Sequence, residues 1–364
     1  MLSALLFLAA CVVQDPPRRR DSPEPPRRQD RQDPPKKLQN IDVHVHLWSP
    51  RGPGPRSEGE SDYEAAGKNL LEHMDRYGIA RALLMPPPRT RGNERPDEIG
   101  ALKKLVKDYP QRFALAAGGD VLSPMIHETK ADAVTKEIRE RFEREALRLA
   151  AEGVKAFGEL SALHLSFNED HVFEETLPDH PLFLALADIS AKTGIPIDLH
   201  MEAVEKEMAT PAGFGDRNPE MLKANIPALE RLLKHNRKAR IVWQHIGWDN
   251  TGQMTLDLLR RLLKGHENLF MALRIEERAV TRDKKPMPHR IVDRQGKVVA
   301  EWAALLEEFP DRFVIGSDEF FTRPGSPKRW PQSFEETWRM LDQLKEELAA
   351  KIGRENAKRI YNLQ

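Results

Sequence analysis

From residue 39 onward the sequence alternates between short aliphatic runs and amphipathic stretches of helix length, and this rhythm limits the folds open to the chain. Strand character falls at 41–46, 80–85, 113–117, 153–159, 195–200, 240–245, 269–275 and 313–318. Helix-length segments at 64–77, 97–109, 132–151, 181–193, 220–236, 253–264 and 299–308 lie between them, with 333–350 and 354–362 closing the chain. Strands separated by helices pair in parallel, and eight of them close on themselves. The expected fold is α/β, a (β/α)8 TIM-type barrel forming one catalytic domain over 39–364. A doubly wound open sheet is the rival, but no glycine-rich phosphate loop follows the first strand. The connections 47–62, 86–96, 160–180, 201–219 and 276–298 follow strand ends and are long, so the carboxyl-end face should carry a covered pocket. Within the last of them, 289–299 reads as a small hairpin.

The N-terminal 38 residues belong to no barrel. Residues 2–10 form an apolar run too short to span a bilayer, which takes roughly 20 residues, and they read as a signal-peptide core. Leu8-Ala9-Ala10-Cys11 resembles the lipobox of bacterial lipoproteins, which implies a signal over 1–11 and acylation of Cys11. Residues 12–38, rich in Pro, Arg, Asp and Gln, read as a disordered linker. The resemblance implies an exported bacterial protein, anchored by lipid and facing the periplasm or cell exterior. Cys11 is the chain's only cysteine, so no internal disulfide can form. Lys plus Arg and Asp plus Glu are both 57, giving zero formal net charge, and no overall field favours nucleic acid.

The chemistry concentrates at strand ends. In Ile41-Asp42-Val43-His44-Val45-His46, a two-residue repeat aims His44 and His46 at one side. The fifth strand ends at His200, the sixth at His245 and the eighth at Asp318. Imidazole nitrogen and carboxylate oxygen are the donors that borderline divalent metals accept. His164, His171 and His289 fall in loops of the same face and are lesser candidates for touching substrate.

This ordered set resembles the amidohydrolase superfamily of metal-dependent barrels, and it is most similar to the amidohydrolase-related branch that includes aminocarboxymuconate semialdehyde decarboxylase. The residues that carry the resemblance are Asp42, His44 and His46, His200, His245 within Gln244-His245-Ile246-Gly247, Gly316-Ser317-Asp318, and the closing segment Glu355 to Tyr361. It implies one divalent metal, zinc, held by His44, His46, His200 and Asp318, with His245 acting beside it. Metal-activated water would then attack a small amide, ester or lactone carbonyl, with Asp318 or His245 taking the proton. Its alternative is non-oxidative decarboxylation of a carboxylated unsaturated or aromatic substrate, since the branch contains lyases with the same ligands. A third reading is a tethered binding protein that has lost its metal, but every ligand position holds a competent donor.

The fourth strand tests for a second metal, because two-metal members of the superfamily place a carboxylated lysine or a glutamate at its end. Here Lys155 and Glu159 share a face. Lys155 is expected deep in the barrel, paired with Asp42 or Asp198; Glu159, nearer the active end, is a candidate second-metal or substrate residue. One metal is preferred over two. Trp48, Glu202, Trp248, Arg274 and Phe320 lie at or just beyond strand ends and are candidate substrate walls. Arg274 suits a substrate carboxylate, or else an ion pair with Glu276 or Glu277. Arg89 and Arg91 are weaker versions of the same idea.

Overall fold

The computed structural model describes residues 37, 39–48, 62–89, 96–167, 172–214, 216–276, 287–326 and 334–364. The signal, the lipobox with Cys11, the linker (save Lys37), and Arg91, His171 and Glu277 lie outside them. Eight parallel strands form the expected closed barrel: Asn40–Leu47, Ile79–Leu84, Phe113–Gly118, Ala156–His164, Ile197–Met201, Ile241–Ile246, Leu269–Leu273 and Phe313–Ile315. Closure comes from the pairing of Asp42 with Ile315, which joins the first strand to the eighth. A short strand, Glu319–Phe321, continues beyond the eighth and pairs with Val45 to Leu47.

Sequence chemistry sets the helix boundaries. Thr135 and Thr255 accept from the backbone N–H groups of Ile138 and Leu258, so helices start at Lys136 and Leu256 rather than at 132 and 253. Gly194, in the left-handed region at φ 72°, ends Pro181–Thr193. The span 220–236 shortens to Ile226–His235, because Met221–Leu222 pairs instead with Met208–Ala209. Two features escape the periodicity: the short helix Leu122–Glu128 and a fourth strand that runs on to His164, where Glu174–Glu175 folds back on it. The bridge between Val292 and Val298 bears out the hairpin.

Alternation sorts the apolar side chains into two layers. In the second strand, Ala82 and Leu84 pack toward the helices, where Leu70, Leu102 and Leu105 belong to the same cluster. Leu83 packs with Ala114, Ala116, Ala156, Val242, Phe270, Ala272 and Val314 inside the barrel. The floor of that inner cluster is the C-terminal segment, through Ala357, Ile360, Tyr361 and Leu363. Lys155 is not inside. Strand four begins one residue later, at Ala156, so Lys155 stays half-buried at the amino-end rim, its Nζ 3.5 Å from the Asn362 carbonyl and unpaired with Asp42 or Asp198.

Candidate metal centre

His44 and His46 leave the first strand on one side, and their outer nitrogens are both committed. His44 Nδ1 donates to Gln244 Oε1 at 3.1 Å, and His46 Nδ1 donates to the Met85 carbonyl at 2.9 Å. A carbonyl oxygen can only accept, so each neutral ring presents a lone pair at Nε2. Those two Nε2 atoms stand 2.9 Å apart. Asp318 Oδ1 lies 3.5 and 3.3 Å from them, and Glu159 Oε2 lies 3.5 and 3.4 Å away. Four electron-rich atoms thus surround one point, a cage that only a cation or a proton relieves. His46 shows the same field. Burial opposes its charge, but hydrogen bonds to Asp318 and Glu159 push its pKa up to about 10.

Glu159 faces a second group with its other oxygen. His200 Nδ1 is 2.7 Å and His245 Nε2 2.9 Å from Glu159 Oε1. Burial works against ionisation of Glu159, yet electrostatic attraction to the His44 ring and the hydrogen bonds from His200 and His245 hold its carboxyl well below the usual range. Among the described residues, His44, His46 and Asp318 form one set able to hold a metal, and His44, Glu159 and His245 another, each with ligand atoms within 4.8 Å of one another. The expected four ligands are therefore divided. His200 sits with His245 on the far oxygen of Glu159, and His245 stands in the donor cluster rather than beside it. Its Nδ1 has no hydrogen-bond partner and lies 3.7 Å from Asp318 Oδ2. Burial pushes the His245 pKa down to about 3, which keeps this ring neutral.

The backbone around these donors is unusual. His245 and Asp318 occupy the left-handed region at φ 60° and 53°, where side chains other than Gly, Asn and Asp are rarely found. A Cβ on Gly316 would stand 3.0 Å from His44 Cβ and 3.2 Å from Gln244 Oε1, so glycine there lets the eighth strand approach the first. Asp42 accepts from the backbone N–H groups of His44 and Ser317, at 3.2 and 3.1 Å, and ties the two strands just below the ligands. Burial raises its carboxyl pKa to about 6, against those hydrogen bonds.

The expected wall residues gather here unevenly. The Phe320 ring stacks on His46 at 4.4 Å, and Trp48 meets Phe320 edge-on at 6.3 Å. Trp248 stands perpendicular to His245 at 5.8 Å. Glu202 Oε1 is 4.0 Å from His200 Nε2 and accepts from Asn250 Nδ2 at 2.8 Å; burial pushes its pKa up to about 7. Arg274 departs from the substrate-carboxylate expectation. Its guanidinium bonds Asp318, reaches Glu276 at 3.8 Å and lies over the Trp248 ring at 3.8 Å, so its charge is already balanced by protein carboxylates. Arg89 is buried against Glu98 and serves the fold. The His164 ring packs against His200 at 4.6 Å, whereas His289 is drawn off to Asp249 at 2.7 Å. Sequence reasoning gave no role to Gln244, Asn250 or the Met85 carbonyl. Only Gln244 left a signal, two residues after inward-facing Val242.

Comparison with known proteins agrees with this architecture. The amidohydrolase family model matches residues 41–363. Among solved structures, the probable 2-pyrone-4,6-dicarboxylic acid hydrolase of Acinetobacter baumannii superposes with TM-score 0.51 at 14% identity, covering 89% of this chain and 100% of that one. An organophosphorus hydrolase mutant from Deinococcus radiodurans gives TM-score 0.49 at 16% identity, with 89% and 93% covered. An amidohydrolase from Mycobacterium avium subsp. paratuberculosis gives 0.45 at 13%, with 89% and 99% covered. No curated protein matches the sequence. With a family model spanning nearly the whole barrel, and a closed eight-strand sheet bearing its histidines and acids at the strand ends, the chain belongs to the amidohydrolase family.

Proposed function

We propose that the protein is a metal-dependent hydrolase that directs water onto a small amide, ester or lactone, and that its site takes two divalent cations, zinc in the simplest case, rather than the single ion expected from the sequence. The observation that carries this reading is the Glu159 carboxylate, whose two oxygens face two separate donor groups. His44, His46 and Asp318 would hold one ion and His200 and His245 the other, with Glu159 shared. When bound, such ions polarise a carbonyl oxygen and acidify water. The protein's own groups do the rest. Burial opposes the Asp318 charge, but Arg274 and the neighbouring histidines keep the carboxyl ionised, the form that can ligate a cation or take a proton, at the cost of weak basicity. Trp48, Trp248 and Phe320 give the cleft apolar walls, and Glu202 with Asn250 offers polar contacts to the substrate.

The test pairs elemental analysis with turnover of amides, esters, lactones and carboxylated aromatics, carbon dioxide being monitored. More than one equivalent of divalent metal per chain, and product formed with consumption of water, is the expected result. Carbon dioxide release without net water uptake would instead establish the lyase. Loading should also run against protons. His46 must lose its proton to ligate, so zinc affinity is expected to fall as the pH drops below about 10, with net proton release in calorimetry.

The N-terminal segment is proposed to tether this barrel to a membrane surface. Labelled palmitate should enter the wild type and be absent from Cys11→Ser; equal labelling of both would overturn the anchor.

A further inference from the structure

The chain's formal charge is zero, but its charges are not evenly spread. The connections leading into the second to eighth strands, 78, 109–112, 152–155, 194–196, 236–240, 266–268 and 309–312, make the amino-end face of the barrel together with residues 351–364. The C-terminal stretch lies across that face. Asn356 Nδ2 donates to the carbonyls of Pro310 and Phe313 at 2.8 Å, and the Ile360 carbonyl accepts from Arg240 at 2.9 Å. These segments carry ten Lys and Arg against four acids, Glu152, Glu267, Asp311 and Glu355. At the opposite end of the barrel, Glu159, Glu202, Asp249, Glu276 and Asp318 are all buried.

Part of the basic excess serves the fold. Barrel helices end on this face, and the negative end of a helix dipole favours a cation. Arg240 donates to the Gly194 carbonyl at 3.0 Å, just past the end of Pro181–Thr193, and Arg312 donates to the Leu269 carbonyl at 2.9 Å. Arg312 and Arg359 also lie over the Phe270 ring, at 5.3 and 5.5 Å. Carbonyls and rings satisfy a guanidinium's donors but leave its unit charge standing. Arg237, Lys238 and Lys358 have no such employment. All three are exposed, and among the described residues none has a hydrogen-bond or ion-pair partner for its side chain.

The preceding chain joins this same face. Backbone N–H groups of Gln39 and Asn40 both donate to the Gly78 carbonyl at 3.0 Å, which places the start of the first strand among these connections. Residues 12–38 can span no more than about 100 Å even when fully extended. An anchor at the N-terminus would therefore keep the amino end of the barrel close to the membrane, and tethering makes a weak surface contact effectively intramolecular.

Resting on the tether proposed above, we propose that the amino-end face docks on an anionic phospholipid leaflet, with Arg237, Lys238 and Lys358 meeting the headgroups. The tether favours lipid over any other polyanion, because it attaches the barrel by this face. The metal centre, at the other end, then opens away from the bilayer toward substrates dissolved in water.

The experiment measures partition of the full-length protein onto vesicles of phosphatidylcholine alone and of phosphatidylcholine mixed with phosphatidylglycerol, in about 0.1 M salt, where charges are screened beyond about 10 Å. An apolar or acylated N-terminus acts alike on both, so the ratio of the two affinities reads charge. At about fivefold per cation near a charged leaflet, the wild type should prefer the mixed vesicles by about 100-fold. Arg237→Gln, Lys238→Gln and Lys358→Gln together should lower that preference by about tenfold or more. The control is Lys136→Gln, Lys206→Gln and Arg294→Gln, three exposed residues toward the other end, and it should keep the preference within about threefold of wild type. Equal wild-type affinity for both vesicles, or a loss in the first triple variant no larger than in the control, would overturn the proposal. So would tighter binding of the wild type to a DNA duplex than to the mixed vesicles. No binding to neutral vesicles, with mixed-vesicle binding still weakened in the first triple variant, sinks the tether and leaves the docking face; retained neutral binding with no preference sinks the docking face alone.

Discussion

Glu159→Gln should leave a folded barrel whose turnover has fallen about 10³-fold or more and whose metal content has dropped to one equivalent or less. The size follows from the several kcal/mol that a bound cation contributes to a charged transition state, at about 1.4 kcal/mol per decade. Glutamine matches glutamate in length but carries no charge, and its amide nitrogen would face either His200 Nδ1 and His245 Nε2 or the His44 and His46 pair, where the carboxylate now accepts or attracts. Circular dichroism is expected to be unchanged, because the residue's neighbours are site groups and not the helix layer. Metal analysis and initial rates on one preparation check this. Full metal content with activity within tenfold of wild type would remove Glu159 from the centre.

Asp318→Asn should lower kcat by about 10²–10⁴-fold, the range associated with a positioned proton acceptor, while the backbone stays in place. Asparagine is chosen because position 318 sits at φ 53°, a conformation that Asn and Asp tolerate and most residues resist. The substitution removes the charge that balances Arg274 but leaves Glu276 at 3.8 Å to share the guanidinium. The stability cost should therefore stay near 1–3 kcal/mol. Asp318→Ala should cost about 1 kcal/mol more, from backbone strain. Steady-state kinetics and thermal melts of the two variants separate the effects; equal kcat for wild type and Asp318→Asn would show that this carboxylate moves no proton.

Much of this protein was legible before any coordinates. Each barrel strand announced itself because a strand buried on both faces is almost continuously apolar, and the helices between carry one-sided stripes such as Leu258, Leu259, Leu262 and Leu263. His44 and His46 were paired by the two-residue repeat, and His200, His245 and Asp318 by their common place at strand ends. The division of these donors about Glu159 was harder to see. Periodicity states which face a side chain occupies, but not how far along the barrel axis it lies, and the fourth strand runs five residues beyond Glu159 to His164. Lys155 was misplaced for the same reason, since a strand's first residue is fixed by pairing with its neighbours and not by its own composition. Arg274 was ambiguous because a guanidinium suits a substrate carboxylate and Asp318 equally well, and only three-dimensional placement distinguishes them.

The first strand is held to the end of the eighth by Asp42 and Ser317, which are 275 positions apart. During synthesis at about 5–20 residues per second, the strand bearing His44 and His46 therefore waits on the order of tens of seconds for its second neighbour. Throughout that interval a bare hydrogen-bonding edge and two imidazoles stand open to solvent. A half-made chain of this kind is exposed to strand-swapping with its siblings and to stray cations, so the emergence of the eighth strand closes the period of greatest hazard as well as the barrel.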